Sequence, residues 1–143
     1  MAVFKSFRAY RPAQRNQSLI PALPYDVMSS EEAREMVKGN SLSFLHVDRA
    51  EIDFPVGADK YSREIYEKAK ENLLALENTG AMIQDEAPCF YIYRQIMNGR
   101  AQVGLVGCAS IDDYMNNIIK KHEKTLAKKE KDILNIISNQ KQI

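Results

Sequence analysis

The chain has 143 residues, of which 45% are hydrophobic and 27% charged, and its net charge is +1. This composition is typical of a globular domain and excludes a disordered chain, a collagen-like chain and a strongly basic polyanion binder. Because there are only two cysteines and two histidines, a disulfide scaffold and a multi-histidine metal site are excluded as well.

The N-terminal part of the chain predicts a short strand followed by an irregular segment and a helix. Residues 3–8 alternate apolar and polar side chains, as a half-buried strand does. Three prolines then interrupt any regular structure; they are Pro12, Pro21 and Pro24. Ser29 with Glu32 forms a capping-box pattern, which predicts a short helix that ends at Gly39.

The middle of the chain predicts a second strand and an amphipathic helix. In residues 43–49, Phe44, His46 and Asp48 alternate with Leu45 and Val47, which predicts a strand with these two sets on opposite faces. Residues 49–59 are predicted to be a loop. Residues 61–77 predict a helix that ends near Gly80. Its inward stripe consists of Ile65, Ala69, Leu73 and Leu76.

The strongest local signal is Asn98-Gly99 between two β-rich runs, which predicts a type I′ hairpin. The register then places Met97 opposite Arg100, Tyr93 opposite Gly104, Phe90 opposite Gly107 and Cys89 opposite Cys108. One face of the hairpin is expected to pack inward. It consists of Phe90, Ile92 and Ile96 with Ala101, Val103 and Leu105. The cysteines are expected to remain free thiols, acting as small hydrophobes.

A long helix is predicted to follow, starting at Ser110, which with Asp113 resembles a capping box. At about 100° per residue, several polar side chains fall in a sector roughly 80° wide that overlaps the apolar side. They are His122, Thr125, Lys129 and Asp132. Such a cluster fits either a site for an anionic group or a set of structural ion pairs, and the pattern alone leaves both interpretations open.

These elements predict an α+β (mixed α/β) fold. We expect a single domain over residues 1–143, with the antiparallel hairpin in a small sheet that also contains strand 43–49. Helices are expected to pack on this sheet, and the long helix to close the chain. We expect the N-terminal part of a longer protein, because no further element follows that helix. The absence of a signal-peptide pattern and of long apolar runs predicts a cytoplasmic location.

Four stretches of the sequence carry a family resemblance. They are LPYDVMSSEEAREM, SLSFLHVDRAEIDFP, FYIYRQ and YMNNIIKKHEKTLAKKEKDI. Together they resemble a large bacterial and archaeal family, catalogued only as a domain of unknown function, whose genes often lie beside serine-biosynthesis genes. Its full-length members carry a downstream Asp-Gly-His-His-Arg signature similar to that of ParB-like free serine kinases. This chain lacks that signature, so it resembles the N-terminal region.

The resemblance assigns the polar cluster to family motifs. The family's His-Glu-x-Thr and Lys-Glu-x-Asp motifs fall on His122, Glu123 and Thr125 and on Lys129, Glu130 and Asp132. The chain departs from the family pattern at Ile133, where arginine is usual, and at Asn116-Asn117, where glycine is usual. Without that arginine, an anion site loses a bidentate donor.

The resemblance implies the N-terminal part of a nucleotide-dependent, serine-like small-molecule kinase that is inactive alone. The cofactor would be ATP or ADP with magnesium. The implied catalytic residues are Glu123, His122 and Asp132, and the implied ligand-binding residues are Lys129, Thr125, Glu130, Asp26, His46 and Tyr25. The hypothesis is that Tyr25, Asp26 and His46 line one cavity with the His122 cluster. For Asp26 alone, capping of the following helix is the simpler interpretation.

The expected partners are a small molecule or nucleotide and the C-terminal half of the parent protein, not a membrane. The alternative function is a non-catalytic ligand-binding or assembly domain whose inward polar residues dock it to the missing half. A ParB-like nucleic-acid partner is a third interpretation, and the near-neutral charge argues against it.

Overall fold

The computed structural model describes residues 1–120, which combine short strands and helices and confirm the mixed α+β class. The strands are β1 (Phe4–Lys5), β2 (Tyr10–Pro12), β3 (Met82–Gln84), β4 (Tyr91–Met97), β5 (Arg100–Val106) and β6 (Cys108–Ala109). The helices are α1 (Ser30–Met36), α2 (Leu45–Asp48), α3 (Arg63–Asn78) and α4 (Ile111–Met115). Short 3-10 turns occupy Gln14–Asn16, Tyr25–Val27 and Ala50–Asp53. Within residues 1–120, no helix has the length and apolar character needed to cross a bilayer.

The chain divides into two compact units. The hairpin unit contains residues 1–11 and, of the described chain, residues 84–120. The helical unit contains residues 12–83. Both divisions of the chain fall within a strand. Pro12, the last residue of β2, belongs to the helical unit, and Gln84, the last residue of β3, belongs to the hairpin unit.

The hairpin β4–β5 forms as predicted. Asn98 and Gly99 have φ angles of 51° and 76°, the left-handed values that the two central residues of a type I′ turn require. Met97 pairs with Arg100, and Tyr93 pairs with Gly104. The Asn-Gly turn therefore sets the register of the whole ladder.

The predicted pairing beyond the ladder is wrong, because the N-terminal strand takes its place. The β4–β5 ladder ends where Tyr91 pairs with Val106. Cys89 forms an isolated bridge with Phe7, and Cys108 pairs with Lys5 of β1. The two cysteines therefore do not face each other in a ladder, and both are free and exposed. The predicted first strand is present as β1 and the bridge at Phe7.

At Gly107 the N-terminal strand leaves no room for a side chain. A Cβ at this position would lie 2.6 Å from Cζ of Phe4 and 2.9 Å from the carbonyl oxygen of Lys5. The Phe4 ring stacks on Phe90 instead, with 5.5 Å between ring centroids. The expected Phe90–Gly107 pair is thus replaced by packing of Phe4 against both positions.

The prediction that one hairpin face packs inward is also wrong. Its large apolar side chains are exposed, including Ile92 at 72% and Leu105 at 58% of their surface. The alternation of the strands is as expected, but in the described structure this face lies at the surface.

Helix α4 begins as predicted and ends early. The Ser110 side chain accepts a hydrogen bond from the Asp113 amide at 3.2 Å. The Asp113 carboxylate does not complete the box, since it accepts from the Val3 amide at 2.6 Å. The helix stops at Met115, and Asn117 takes a left-handed φ of 56°. A continuous helix from Ser110 is therefore wrong for the described residues, and the segment from His122 to Asp132 lies outside them.

Asp85 is the polar centre of the hairpin unit. Its carboxylate accepts hydrogen bonds from Arg11, with Nη2 at 2.5 Å, and from the Tyr91 hydroxyl at 2.6 Å. The Ala9 amide donates to the same hydroxyl at 2.9 Å. Hydrogen bonds from Arg11 and Tyr91 lower the pKa of Asp85. Burial and the bond to Asp85 raise the pKa of Tyr91.

These shifts predict how the stability of the protein depends on pH. Because the pKa of Asp85 is lowered on folding, its contribution is present above its unfolded pKa of about 3.9 and is lost as pH falls through the folded value. The raised pKa of Tyr91 gives a contribution present below about pH 10 and lost above it. We expect Asp85→Asn to be less stable at neutral pH and to lose less stability than wild type between neutral pH and about pH 2.

Urea unfolding followed by circular dichroism across this pH range measures the effect. Glu86→Gln is the matched control, since Glu86 is the adjacent exposed carboxylate and should leave the acid dependence unchanged. Parallel pH profiles for Asp85→Asn and wild type would contradict the assignment.

In the helical unit, α1 carries the predicted capping box. The Glu32 amide donates to Ser29 Oγ at 3.2 Å, and the Ser29 amide donates to Glu32 Oε2 at 2.7 Å. These two bonds satisfy donors that a helix N-terminus would otherwise leave unpaired. Gly39, beyond the helix end, has the expected positive φ of 75°.

Residues 43–49 form helix α2 and its flanks, so the predicted strand is wrong. Leu45 and Val47 are both buried, but in different places. Leu45 packs with Ala33 and Ile52, whereas Val47 packs with a cluster that includes Leu76. A short helix buried on two sides shows the same apolar alternation as a strand, which explains the error.

Helix α3 carries the predicted stripe, and its end near Gly80 is confirmed. Ile65 and Ala69 pack against Ala50, which begins the 3-10 turn Ala50–Asp53 directly after α2. Leu76 packs against Val47, with Leu73 beside it. The stripe therefore meets α2 and the 3-10 turn of its own unit, where a sheet face was expected.

Candidate functional site

His46, Asp53 and Asn72 form a hydrogen-bonded group in the helical unit. His46 Nδ1 lies 2.7 Å from Asp53 Oδ1, and the two side chains are 18% and 20% exposed. The Asn72 amide nitrogen donates to Asp53 Oδ2 at 2.8 Å and to the His46 carbonyl at 2.7 Å. Both amide hydrogens are therefore used to hold the other two residues in place.

Three elements position this group. His46 lies on α2, Asp53 ends the 3-10 turn, and Asn72 lies on α3. Asn72 follows Ala69 by three positions and precedes Leu76 by four, so it shares the inward side of α3 with apolar residues. The packing of α2 against α3 thus brings an imidazole, a carboxylate and an amide together.

A groove of about 230 Å³ lies beside this group. Its polar lining consists of Ser41, Ser43, His46, Asn72 and Thr79, and its apolar lining of Leu42, Ala75 and Leu76. Pockets for drug-sized ligands start at roughly 300 Å³. The groove is therefore large enough for a molecule the size of an amino acid and too small for a whole nucleotide.

Both ring nitrogens of His46 face hydrogen-bond acceptors. Nδ1 faces the Asp53 carboxylate, and Nε2 lies 3.3 Å from the Asn40 carbonyl oxygen, which accepts a hydrogen bond and cannot donate one. Each contact is made by a ring N–H, so neither nitrogen presents a free lone pair to a bound hydroxyl group. The His46 ring is therefore a fixed polar group at the edge of the groove, suited to bind and orient a ligand.

A second polar group, around Arg49, holds the segments that flank α2. Arg49 Nη1 donates to the carbonyls of Tyr25 at 2.5 Å and Met28 at 3.1 Å. Its Nη2 donates to Ser30 Oγ at 2.9 Å and contacts Glu51 Oε1 at 3.1 Å. Arg49 and Glu51 are 11% and 10% exposed in their side chains. All polar hydrogens of the two terminal nitrogens are used, which is typical of a structural brace.

The site residues predicted from the sequence fall into two sets. Tyr25 and Asp26 lie in the 3-10 turn Tyr25–Val27. The Tyr25 carbonyl accepts a hydrogen bond from Arg49, which lies three residues after His46 in the sequence. Ser29, not Asp26, is the N-cap of α1. The other predicted residues lie outside the described residues; they are His122, Glu123, Thr125, Lys129, Glu130 and Asp132. The shared cavity therefore stays a prediction.

The sequence analysis did not find Asp53, Asn72 or the Arg49 brace. Asn72 could have been noticed, because it is a polar residue in phase with the apolar stripe of α3. Asp53 gives no such signal, since it lies in a segment predicted to be a loop. Its role depends on how the chain folds back after α2.

Two other features offer less chemistry. A hollow of about 560 Å³ lies along the hairpin end and is lined by Gln95, Ile96, Met97, Arg100, Ala101 and Gln102. It offers amides and one guanidinium but no group that exchanges a proton near neutral pH. Within residues 1–120, no group of three or more His, Cys, Asp or Glu side chains is placed to hold a metal ion.

The comparison with protein families identifies the chain at the family level. Residues 4–142 match the family model described as "Protein of unknown function (DUF1015)". No curated protein and no solved structure matches the chain. Because the family match covers nearly the whole sequence, the chain belongs to the DUF1015 family of proteins of unknown function.

Proposed function

We propose that the chain is the N-terminal part of a nucleotide-dependent, serine-like small-molecule kinase, in which the groove beside His46 holds the substrate that carries the acceptor hydroxyl. The observation that carries this proposal is the group of His46, Asp53 and Asn72 at the edge of a groove of about 230 Å³. Transfer of a phosphoryl group to a hydroxyl needs a base to receive the hydroxyl proton. We assign that role to Glu123 or Asp132, and we assign to His46, which Asp53 and Asn72 hold in place, the binding and orientation of the substrate.

The groove suits a small polar molecule. Ser41 and Ser43 supply hydroxyl groups and Asn72 an amide oxygen, while Leu42 and Leu76 cover the apolar part of the ligand. A free amino acid such as serine matches this size and polarity. The proposal includes a cytoplasmic location, where the exposed cysteines remain reduced.

The described residues do not fit the nucleotide. The groove is too small for it, and residues 1–120 bring no three His, Cys, Asp or Glu side chains together as a preformed metal site. The proposal therefore assigns phosphate binding to Lys129, with Thr125 as a hydroxyl donor and Glu130 beside it. Glu123 and Asp132 are proposed as base or magnesium ligand, and His122 as a group that positions the substrate. Because such a site is only partly present here, residues 1–143 are expected to show little or no catalysis alone.

Calorimetry tests the proposal with serine, phosphoserine, ATP and ADP as ligands. We expect His46→Ala to weaken serine binding by about tenfold or more, since a buried hydrogen bond to a ligand contributes roughly 1.5 kcal/mol. Glu71→Gln is the control, since Glu71 is an exposed residue of α3, next to Asn72. Serine binding that is equally tight in His46→Ala and wild type would place the acceptor site elsewhere.

The nucleotide part of the proposal is tested separately. Any affinity for ATP, ADP or phosphoserine is expected to depend on Lys129, and Lys128→Ala serves as the control for Lys129→Ala. Nucleotide binding that is tight and unchanged in Lys129→Ala would exclude Lys129 as the phosphate ligand.

The second candidate is a non-catalytic ligand-binding or assembly domain. The exposed apolar face of the hairpin favours an assembly role, because a large apolar patch on a protein surface commonly marks an interaction site. If neither serine nor any nucleotide binds, even to the longer parent protein, this second function is the better one.

A further inference from the structure

One face of the hairpin is apolar, exposed and interrupted by a single charge. In the register, Ile92 pairs with Leu105, Arg94 with Val103 and Ile96 with Ala101, so all six side chains project from the same side. We name this surface the Arg94 face. Its four large apolar residues are between 58% and 72% exposed. Such a surface is typical of an interaction site.

Arg94 lies at the centre of this face and has no hydrogen bond or ion pair to any other residue of the described chain. Within residues 91–106 the charged residues are Arg94 and Arg100, and there is no aspartate or glutamate. Arg100 pairs with Met97 beside the turn and projects from the opposite side. The face therefore combines apolar side chains with one positive charge that the hairpin does not neutralise.

This combination indicates the chemistry of the partner. A guanidinium group presents a planar set of donors that matches a carboxylate. The surrounding isoleucine, valine and leucine side chains need apolar cover, which a phosphate backbone does not provide. The rings of Tyr91 and Tyr93 project from the opposite side of the ladder. Phe90 precedes the ladder on the same side as Ile92, but its ring is already stacked on Phe4, so the Arg94 face offers no unengaged aromatic ring on which a nucleobase could stack. A second copy of the same face would bring two arginines together without an acid.

We propose that the Arg94 face is the docking site for a protein segment that presents one aspartate or glutamate among apolar side chains. The carboxylate of the partner pairs with Arg94, and its apolar residues cover Ile92, Ile96 and Leu105. An isolated two-stranded hairpin is only marginally stable in water, so cover of this kind also stabilises β4 and β5. The proposal is independent of the groove beside His46.

The test uses the full 143-residue chain and a pair of synthetic peptides. Each peptide is a short strand with alternating valine and isoleucine on one face, and the central residue of that face is glutamate in one peptide and glutamine in its twin. Fluorescence anisotropy measures binding to wild type, Arg94→Gln and Arg100→Gln. We expect the glutamate peptide to bind wild type and Arg100→Gln about tenfold or more tightly than Arg94→Gln, and the glutamine twin to bind all three weakly.

A second variant uses the register of the hairpin. Val103→Glu places a carboxylate directly opposite Arg94, where a cross-strand ion pair can form within the chain. This variant is expected to keep its circular dichroism spectrum and to lose binding of the glutamate peptide, because Arg94 is then already neutralised.

Three outcomes would overturn the proposal. The first is equal binding of the glutamate peptide by Arg94→Gln and wild type, and the second is no binding to wild type at millimolar peptide. The third is an Arg94-dependent association with phosphatidylglycerol vesicles, with a DNA oligonucleotide or with a second copy of the chain that exceeds the peptide binding.

Discussion

Replacement of Arg49 by methionine is expected to lower the free energy of unfolding by about 3 kcal/mol. Breaking a buried ion pair by removing one partner costs roughly 3–5 kcal/mol, because the remaining charge stays buried without compensation. Here the remaining charge is Glu51, whose side chain is 10% exposed and, among residues 1–120, retains only the Ser30 hydroxyl as a side-chain partner. The carbonyls of Tyr25 and Met28 also lose their donor. We expect the lower end of the range because neither charge is fully buried.

Urea unfolding of wild type and Arg49→Met measures this loss. Arg63→Met is the matched control, because Arg63 also pairs with a glutamate, Glu67, but is 88% exposed. Exposed pairs of this kind contribute about 0.5 kcal/mol or less. The double variant Arg49→Met, Glu51→Met should recover much of the loss, since an apolar pair can replace a buried ion pair. Equal losses in Arg49→Met and Arg63→Met would contradict a buried brace.

The parts of the fold that depend on neighbouring residues were predictable from the sequence. Asn98-Gly99 specifies its turn because only a few residue types tolerate two consecutive positive φ angles. Ser29 and Glu32 specify the start of α1 through two hydrogen bonds that span three residues. In each case the determining interaction lies within the element itself.

The errors arose where a distant segment decides the structure. Cys89 and Cys108 were expected to extend the hairpin ladder, but Phe7 and Lys5 occupy their pairing edges. Nothing in residues 84–109 alone indicates that a strand from the start of the chain competes for these positions. Asn117, whose positive φ follows the end of α4, gave only a weak local signal.

The candidate site was predicted in part. His46 was chosen because it lies in a stretch that matches the family, but its partners Asp53 and Asn72 were not identified. Their meeting depends on residues 43–49 being helical and packing against α3. A strand at this place would have directed His46 toward Phe44 and Asp48 instead. Because residues 43–49 were assigned the two-residue period of a strand and not the period of a helix, the group of His46, Asp53 and Asn72 was not predicted.

Leu45→Ala is expected to cost about 3 kcal/mol of stability, which makes it a direct test of helix α2. Leu45 is 1% exposed and is the largest fully buried side chain among the described residues. It packs with Ala33 of α1 and with Ile52 of the 3-10 turn. Truncation of a buried leucine costs roughly 2–5 kcal/mol, with the larger values where the cavity cannot collapse.

The measurement is urea unfolding at neutral pH, and Leu23→Ala is the matched control because Leu23 is 54% exposed. We expect the control to change the free energy of unfolding by about 0.5 kcal/mol or less, as is usual for surface positions. Because Leu45 precedes His46, its cavity should also loosen α2, so the ring signals of His46 in NMR spectra should broaden in Leu45→Ala and not in Leu23→Ala. A small loss of stability in Leu45→Ala, with unchanged His46 signals, would contradict the packing of α2 between α1 and the 3-10 turn and, with it, the position of His46 beside the proposed substrate groove.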